Sequence, residues 1–332
     1  MKVGSHAEGG AAVMYGDLVV FSGTANRPLA ESVADYLGIE LSEADVFQFP
    51  NTNTFCRLRE SVRGKDVFLI QPTSPPANDN LMELLIFLDT LRRDSAARIT
   101  AVIPYFGYGR TDKKDQPRVP ITGRLVADLI TVAGANRVLT FDLHAGQIQG
   151  FFTIPVDELQ ATPILLDYLE EVRPTNLVVV APDIGAVRRS RNFAERLRAP
   201  LAIIEKRRAL SGDHTHIYNL IGDVEGAHAL LVDDEIDTAG TIVNAAAFVR
   251  ERGAVEVWAC ATHPIFSPPA PERLASSCLS RIIVTNTVLV QDHVREMLGD
   301  RLVILNVGDL LGEVIRRIHV GISVGALFEQ RW

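Results

Sequence analysis

The stretch LLVDDEIDTAGTI, Leu230 to Ile242, joins an apolar run to two adjacent carboxylates, Asp233 and Asp234, and then to Asp237, Thr238, Ala239, Gly240 and Thr241. Small residues between a strand and a helix expose backbone N–H groups, and the helix N-terminus behind them adds the positive end of its dipole. Such a loop binds a phosphate dianion. Thr238 and Thr241 can add hydroxyl donors, and Gly240 lets the backbone approach without a Cβ in the way. The carboxylates would repel that phosphate if they faced it. One step away they can accept hydrogen bonds from hydroxyls or touch a bound cation. Phosphate at one end and vicinal hydroxyls at the other describe a sugar phosphate. The plainer alternative is an Asx-type turn with a helix N-cap, which Asp and Thr also favour. Paired acids at the end of a strongly apolar run make that alternative the weaker one.

A site of this kind needs rigid elements behind it. Short runs rich in Val and Ile predict strands at Leu18–Ser22, Asp66–Gln71, Ile99–Pro104 and Val138–Asp142. A second series follows at Asn176–Ala181, Leu201–Glu205, Ala229–Val232, Val255–Thr262 and Arg281–Thr285. Amphipathic stretches between them predict helices, among them Pro28–Leu37, Asn80–Arg93, Thr122–Ala133, Val187–Leu197 and Thr241–Arg252. The alternation implies βαβ units, hence an α/β protein with parallel sheets covered on both faces. There are strands enough for two sheets, with a boundary expected near Ile154–Leu159. Ligands of such sheets sit beyond the carboxyl ends of the strands. The residues there are Thr73–Ser74, Tyr105–Lys114, Asp142–His144, Asp183, Lys206–Arg208 and Asp233–Thr241. Acids, bases, a histidine and small hydroxyl residues gather in that set, where a bare scaffold would place turn residues.

The chain has 332 residues, room for about two domains. Its net charge of -8, from 33 basic and 41 acidic residues, argues against a dedicated nucleic-acid binder but not against a nucleotide site. Cys56, Cys260 and Cys278 are odd in number and far apart, which fits a reducing compartment better than a disulfide framework. No apolar run approaches the ~18 residues of a membrane span. The opening MKVGSHAEGGAAVMYGD reads as a loose tail rather than a signal peptide.

Further motifs occur in order around the loop: ESVRGKDVFLIQ, NDNLMELLIFLDTLRR, ITAVIPYFGYGRTDKKD, RVPITGRLVADLI, RVLTFDLHAGQIQGFF, APDIGAVRRSR, AIIEKRR, IGDVEG and CATHPIFS. From Leu18 to Phe328 the chain resembles the ribose-phosphate diphosphokinases, or PRPP synthetases, within the type I phosphoribosyltransferase-like group. The resemblance implies two similar phosphoribosyltransferase-like domains. Residues 1–157 would carry ATP-side motifs and be completed by 303–328; residues 158–302 would carry the ribose 5-phosphate loop. It implies transfer of a diphosphoryl group from ATP to the anomeric hydroxyl of ribose 5-phosphate, with Mg²⁺ as the main counter-charge. Asp237–Thr241 would then hold the 5-phosphate, and Asp233 and Asp234 the ribose hydroxyls. His144 and Asp183 match metal-associated positions, although histidine is not a favoured ligand of that hard ion. Lys206 and Arg208, before the polar stretch ALSGDHTH, match the cations of a mobile catalytic loop. Arg110, Thr111 and Asp112 fall on the ATP side, as do Phe49, Asn51 and Asn53, with Phe49 stacking on adenine from a neighbouring subunit. A cytoplasmic homo-oligomer, a hexamer built from dimers, completes what the resemblance implies.

The sequence departs from that family in three places. Around Phe49 the family carries two acids where this chain reads FPNTN, so Asn51 and Asn53 remove the charge and gain amide donors. Thr111 replaces a glutamine. Pro117 replaces a serine near the family's regulatory phosphate or ADP site and has neither hydroxyl nor N–H. Two other readings share the opening motif: a non-catalytic regulatory homologue, and a phosphoribosyltransferase that consumes the diphosphate. The latter lacks the ATP-side motifs.

Overall fold

A computed structural model describes residues 15–208 and 216–329. The expected N-terminal tail falls almost wholly outside the described residues, as do His214 and most of ALSGDHTH. The chain divides into two compact units. One comprises Met1–Thr140, Ala145–Asp157 and Gly308–Trp332, the other Phe141–His144 and Glu158–Val307.

The first unit contains β1 (Leu18–Ser22), α1 (Arg27–Leu37), β2 (Ala44–Gln48), β3 (Thr54–Leu58), β4 (Asp66–Ile70), α2 (Ala77–Arg93), β5 (Arg98–Ile103), α3 (Thr122–Ala133), β6 (Arg137–Phe141) and β7 (Val156–Leu159). Its five-stranded sheet has the order β1-β4-β5-β6-β7, with β1, β4, β5 and β6 parallel. All five residues of β4 are buried, as a strand covered on both faces requires. Helix α1 begins where Asn26 accepts the N–H of Leu29, with Pro28 in the first turn, and ends at Gly38 in the left-handed region. It buries Leu29, Ala30, Val33 and Ala34 on one face. The C-terminal helix Gly308–Val320 packs against α1. Gly312 is needed there, because a Cβ would lie 2.6 Å from the Tyr36 ring. Strands β2 and β3 form a separate two-stranded antiparallel hairpin.

The second unit contains α4 (Thr162–Glu171), β8 (Leu177–Ala181), α5 (Val187–Arg196), β9 (Leu201–Arg208), β10 (His216–Ile221), β11 (His228–Ile236), α6 (Gly240–Glu251), β12 (Glu256–Pro264), α7 (Ala270–Ala275), β13 (Arg281–Thr285), α8 (Asp292–Leu298) and β14 (Leu302–Leu305). The seven-stranded sheet has the order β10-β9-β8-β11-β12-β13-β14 and is parallel except for β10. One face of its core joins Val178, Val180, Leu231 and Ala259 of the strands to Ile242, Ala246 and Val249 of α6. Removing so much apolar surface from water, at ~25 cal/mol per Å², is the main stabilising term.

The architecture is the expected α/β one, with parallel sheets flanked by helices. Two strands run farther than their apolar runs. Strand β9 continues to Arg208 because β10 pairs with it to the end, and β11 continues to Ile236 because its ladder with β12 extends that far. Pairing, not hydrophobicity, sets those boundaries.

Candidate active site

Strand β11 ends at Ile236 and α6 begins at Gly240, so of Asp237–Thr241 the first three residues form the loop and Gly240 and Thr241 open the helix. Ala239, buried, has φ 60° in the left-handed region, a conformation that costs a residue with a Cβ of order 1 kcal/mol or more. It occupies the N-cap position of α6 and makes no side-chain cap bond. No side chain therefore caps α6 from its N-cap position. The helix opens instead with the Val243 N–H on the Ala239 carbonyl. Gly240 has no positive φ, and an added Cβ would meet only Arg273 Nη1 at 3.5 Å and Thr238 Oγ1 at 4.0 Å, ordinary contacts. The fold does not demand glycine there. A ligand approaching the backbone would. Thr238 and Thr241 are exposed on either side.

Asp233 and Asp234 were expected just beyond their strand but lie inside β11, where Asp233 pairs with Ala261 of β12. Asp233 Oδ1 accepts the Asp234 N–H at 2.9 Å, and Asp234 Oδ1 accepts the Glu235 N–H at 3.1 Å. Asp234 Oδ2 lies 2.7 Å from His144 Nδ1. The two carboxyls titrate in opposite directions. Burial pushes Asp233 well above the usual carboxylate range, the neighbouring Asp234 charge pushes the same way, and Asp183 adds to it. Burial also acts against the Asp234 anion, but hydrogen bonds from His144 and Asp233 and the charge of Arg189 outweigh it and hold Asp234 low. An ionised Asp234 accepts, so His144 Nδ1 is the donor of this pair. That carboxylate–histidine pairing is the arrangement that orients ligating histidines. Asp183 follows β8 and turns into α5, its Oδ1 accepting the Ala186 N–H at 3.0 Å.

Beneath these residues sits a buried polar network that the sequence reading did not single out as a unit. Asp142, at φ 34°, accepts on Oδ1 from Arg189 Nη1 (3.0 Å) and on Oδ2 from the Ala161 N–H (2.9 Å) and Thr262 Oγ1 (2.8 Å). Its carbonyl lies 3.2 Å from His263 Nε2, whose Nδ1 faces Thr287 Oγ1 at 2.9 Å. Burial holds the His263 pKa below its ordinary value, so the ring is neutral and donates from Nε2. Burial alone would weaken the Arg189 cation, but Asp142, Asp234 and Asp233 together keep it charged. Thr262 and His263 obey the strand-end rule, since they close the run VWACATHP. Arg189 has no such signal: among Arg188, Arg191 and Arg196 of α5 it reads as one more surface cation.

The first unit holds its candidate residues differently. The hairpin tip Phe49–Asn53 closes by Phe49 N–H to the Asn53 carbonyl (2.9 Å) and Thr52 N–H to the Phe49 carbonyl (2.8 Å), with Thr52 at φ 66°. Asn51 Oδ1 accepts the Asn53 N–H at 3.2 Å, so this side chain serves the turn and keeps only its amide donors for a ligand. Phe49 touches Phe47 and Phe55 edge-on yet remains 44% exposed. After β5, Thr111 Oγ1 donates to the Tyr108 carbonyl at 2.7 Å, again closing a turn. Asp112 is buried and accepts from Gln147 Nε2 at 2.5 Å. Arg110 is exposed beside them.

The backbone of Lys206 and Arg208 lies at the end of β9, opposite Tyr218 and His216 of β10. These cations thus belong to a strand, where the sequence placed them after one. Among the described residues, no three His, Cys, Asp or Glu side chains gather closely enough to enclose a metal. His144 and Asp183 offer one imidazole and one carboxylate, and Mg²⁺ keeps several waters and takes one or two carboxylates. His144 Nε2 suits a metal-bound water better than the ion itself.

Comparison with known proteins accounts for both halves. Residues 18–134 match the family model described as the N-terminal domain of ribose phosphate pyrophosphokinase, and residues 213–329 match the phosphoribosyl synthetase-associated domain. Ribose-phosphate pyrophosphokinase 2, chloroplastic, of Spinacia oleracea is 52% identical over 319 residues, covering 94% of this chain and 79% of that protein. The ribose-phosphate pyrophosphokinase of a Nostoc species is 51% identical over 312 residues, covering 94% and 93%. The crystal structure of phosphoribosylpyrophosphate synthetase from Mycobacterium smegmatis superposes with a TM-score of 0.86 at 42% identity, over 91% of this chain and 99% of the other. By sequence and by fold, the chain belongs to the ribose-phosphate pyrophosphokinase family.

Proposed function

We propose that the chain transfers the β,γ-diphosphoryl group of ATP to the 1-hydroxyl of ribose 5-phosphate, giving 5-phosphoribosyl 1-diphosphate and AMP for nucleotide biosynthesis. The family acts on ATP and ribose 5-phosphate and is generally magnesium-dependent. The observation that carries the acceptor half is the β11–α6 loop: a left-handed Ala239, a helix start without a side-chain cap, and a glycine that the fold does not require. Unsatisfied N–H groups at a helix start are a ready anion site.

In this reading Asp237–Thr241 hold the 5-phosphate, and the Asp233–Asp234 pair faces the ribose hydroxyls. In its protonated form, which burial favours, the Asp233 carboxyl can donate as well as accept, while the Asp234 anion orients His144. The 1-oxygen attacks the β-phosphorus, the bond from that phosphorus to the α-phosphate oxygen breaks, and the hydroxyl proton is released. The chain contributes alignment and charge rather than covalent chemistry. Lys206 and Arg208 neutralise the transferring group as its charge shifts toward the AMP oxygen. His144 and Asp183 would hold Mg²⁺, and the ion would supply further counter-charge for the phosphates. Phe49, Asn51, Asn53, Arg110, Thr111 and Asp112 serve ATP. The reading also carries the two-domain division (1–157 with 303–328, and 158–302), a hexamer built from dimers and a cytoplasmic location. No described helix is long and apolar enough to cross a membrane.

Purified protein with ATP, Mg²⁺ and ribose 5-phosphate tests it. AMP and phosphoribosyl diphosphate are expected in equal amounts. If neither forms with any purine triphosphate, the chain is a non-catalytic homologue instead.

A further inference from the structure

Short helix α7 is anchored by Ala270 and Leu274, both fully buried, and presents Arg273 on its exposed side. Arg273 Nη1 donates to the Thr238 backbone carbonyl at 3.0 Å. The same nitrogen lies 3.5 Å from the point a Gly240 Cβ would occupy, so it flanks the space that glycine leaves open. We propose that Arg273 is a positioning residue that locks the Thr238–Ala239 peptide in its anion-binding orientation. This inference rests on the reading of Asp237–Thr241 as the sugar-phosphate loop.

A trans peptide points its C=O and N–H to opposite sides. Holding the Thr238 carbonyl therefore aims the Ala239 N–H away from Arg273, as a donor on the other side of the loop. Left to itself this peptide has reason to flip. Its present orientation puts Ala239 at φ 60°, where an alanine is strained. Rotating the peptide by about half a turn would carry that φ to about −120° with ψ still at 4°, a negative φ that relieves the clash an L-residue meets in the left-handed region. The flip would also exchange donor for acceptor, turning the carbonyl oxygen toward the bound phosphate. Neither Thr238 nor Ala239 offers a side-chain bond that resists it: Ala239 has no polar atom, and Thr238 is exposed. The guanidinium bond is the one contact described here that selects the strained orientation, and its charge also favours an anion nearby. Arg273 touches neither the sugar nor ATP in this account; it acts through the backbone.

The test is equilibrium binding of ribose 5-phosphate to the full chain by calorimetry, with KM for ATP and kcat measured alongside. Arg273→Ala is expected to weaken ribose 5-phosphate at least ~10-fold, corresponding to the loss of one charge-assisted hydrogen bond, with KM for ATP changed less than ~2-fold. Arg273→Lys should recover part of the loss. The second variant is Arg273→Ala combined with Ala239→Gly, because glycine adopts φ 60° without strain. That pair should regain at least ~3-fold of the affinity, which a residue acting by charge alone would not show. Affinity within ~2-fold of the parent in Arg273→Ala, no recovery in the double variant, or an equal rise in KM for ATP would each overturn the proposal. If the parent protein itself binds no ribose 5-phosphate, the loop reading fails and takes this inference with it. If the parent binds and Arg273→Ala binds equally, only the inference fails.

Discussion

The two units hold their candidate residues by different means. In the second, His144, Asp234 and Asp233 rest on a buried charged network of Asp142, Arg189, Thr262 and His263, in which each member has named partners. In the first, Asn51 and Thr111 are held by turns that their own side chains close, and Phe49 and Arg110 project from exposed loops. Buried networks preorganise charge and tolerate little change, because one lost member strands the others. Turns accept any residue that can close them. Of the departures from the family pattern, Asn51, Asn53 and Thr111 all fall in the turn-held setting of the first unit. An amide accepts the turn bond at position 51 as well as a carboxylate would, so the exchange costs the fold nothing there.

The contrast can be broken most forcefully at Arg189. Arg189→Met should leave Asp142 buried without its cation and destabilise the second unit by ~3–5 kcal/mol, read from a denaturant midpoint. A loss under ~1 kcal/mol would show that the network is not preorganising anything. Lys206→Ala comes next: turnover should fall at least ~100-fold with a smaller change in ribose 5-phosphate affinity, as for a charge acting mainly in the transition state. Equal loss of both would point to docking instead. Gly240→Ala should weaken ribose 5-phosphate by ~30-fold while the melting temperature stays level or rises, since alanine is the better helix former. A variant that unfolds would mean the glycine is structural after all. On the exposed side effects shrink. Phe49→Ala should raise KM for ATP ~5-fold, about one lost stacking contact, without altering stability.

The smallest effect is expected at Glu313, where the C-terminal helix meets Tyr36 of α1. The Arg316 hydrogen bond, opposed by burial and aided by Arg317 and Tyr36, lowers this carboxyl to about 2 from the ordinary 4.5. A depressed carboxyl stabilises the folded state above its unfolded pKa, and that contribution fades as the pH falls from 4.5 toward 2. Solvent screening limits it to ~0.5 kcal/mol, so Glu313→Gln should lower stability slightly at pH 7 and not at all at the acid end.

Much of the fold was legible because buried parallel strands announce themselves as Val- and Ile-rich runs and the helices between them as amphipathic ones: strand Arg281–Thr285 and helix Thr122–Ala133 need no correction. The hairpin β2–β3 was not, since Ala44–Gln48 and Thr54–Leu58 are half-exposed and carry little apolar pattern. Strands β9 and β11 outran their apolar runs because ladder pairing continued through charged residues. In the site, the Gly240 loop and the paired acids were visible as residue types at a strand end. Arg189 and Arg273 were not, because each acts on a residue 47 or 35 positions away, and spacing along the chain carries no trace of that.

The central claim is transfer of a two-phosphorus unit to a bound sugar phosphate, and the path of the β-phosphorus tests it most directly. With ATP labelled at the β-phosphorus, Mg²⁺ and ribose 5-phosphate, the account predicts that the label appears in phosphoribosyl diphosphate in step with unlabelled AMP. Label retained in ADP, or released as inorganic phosphate or diphosphate with no sugar product, would contradict it.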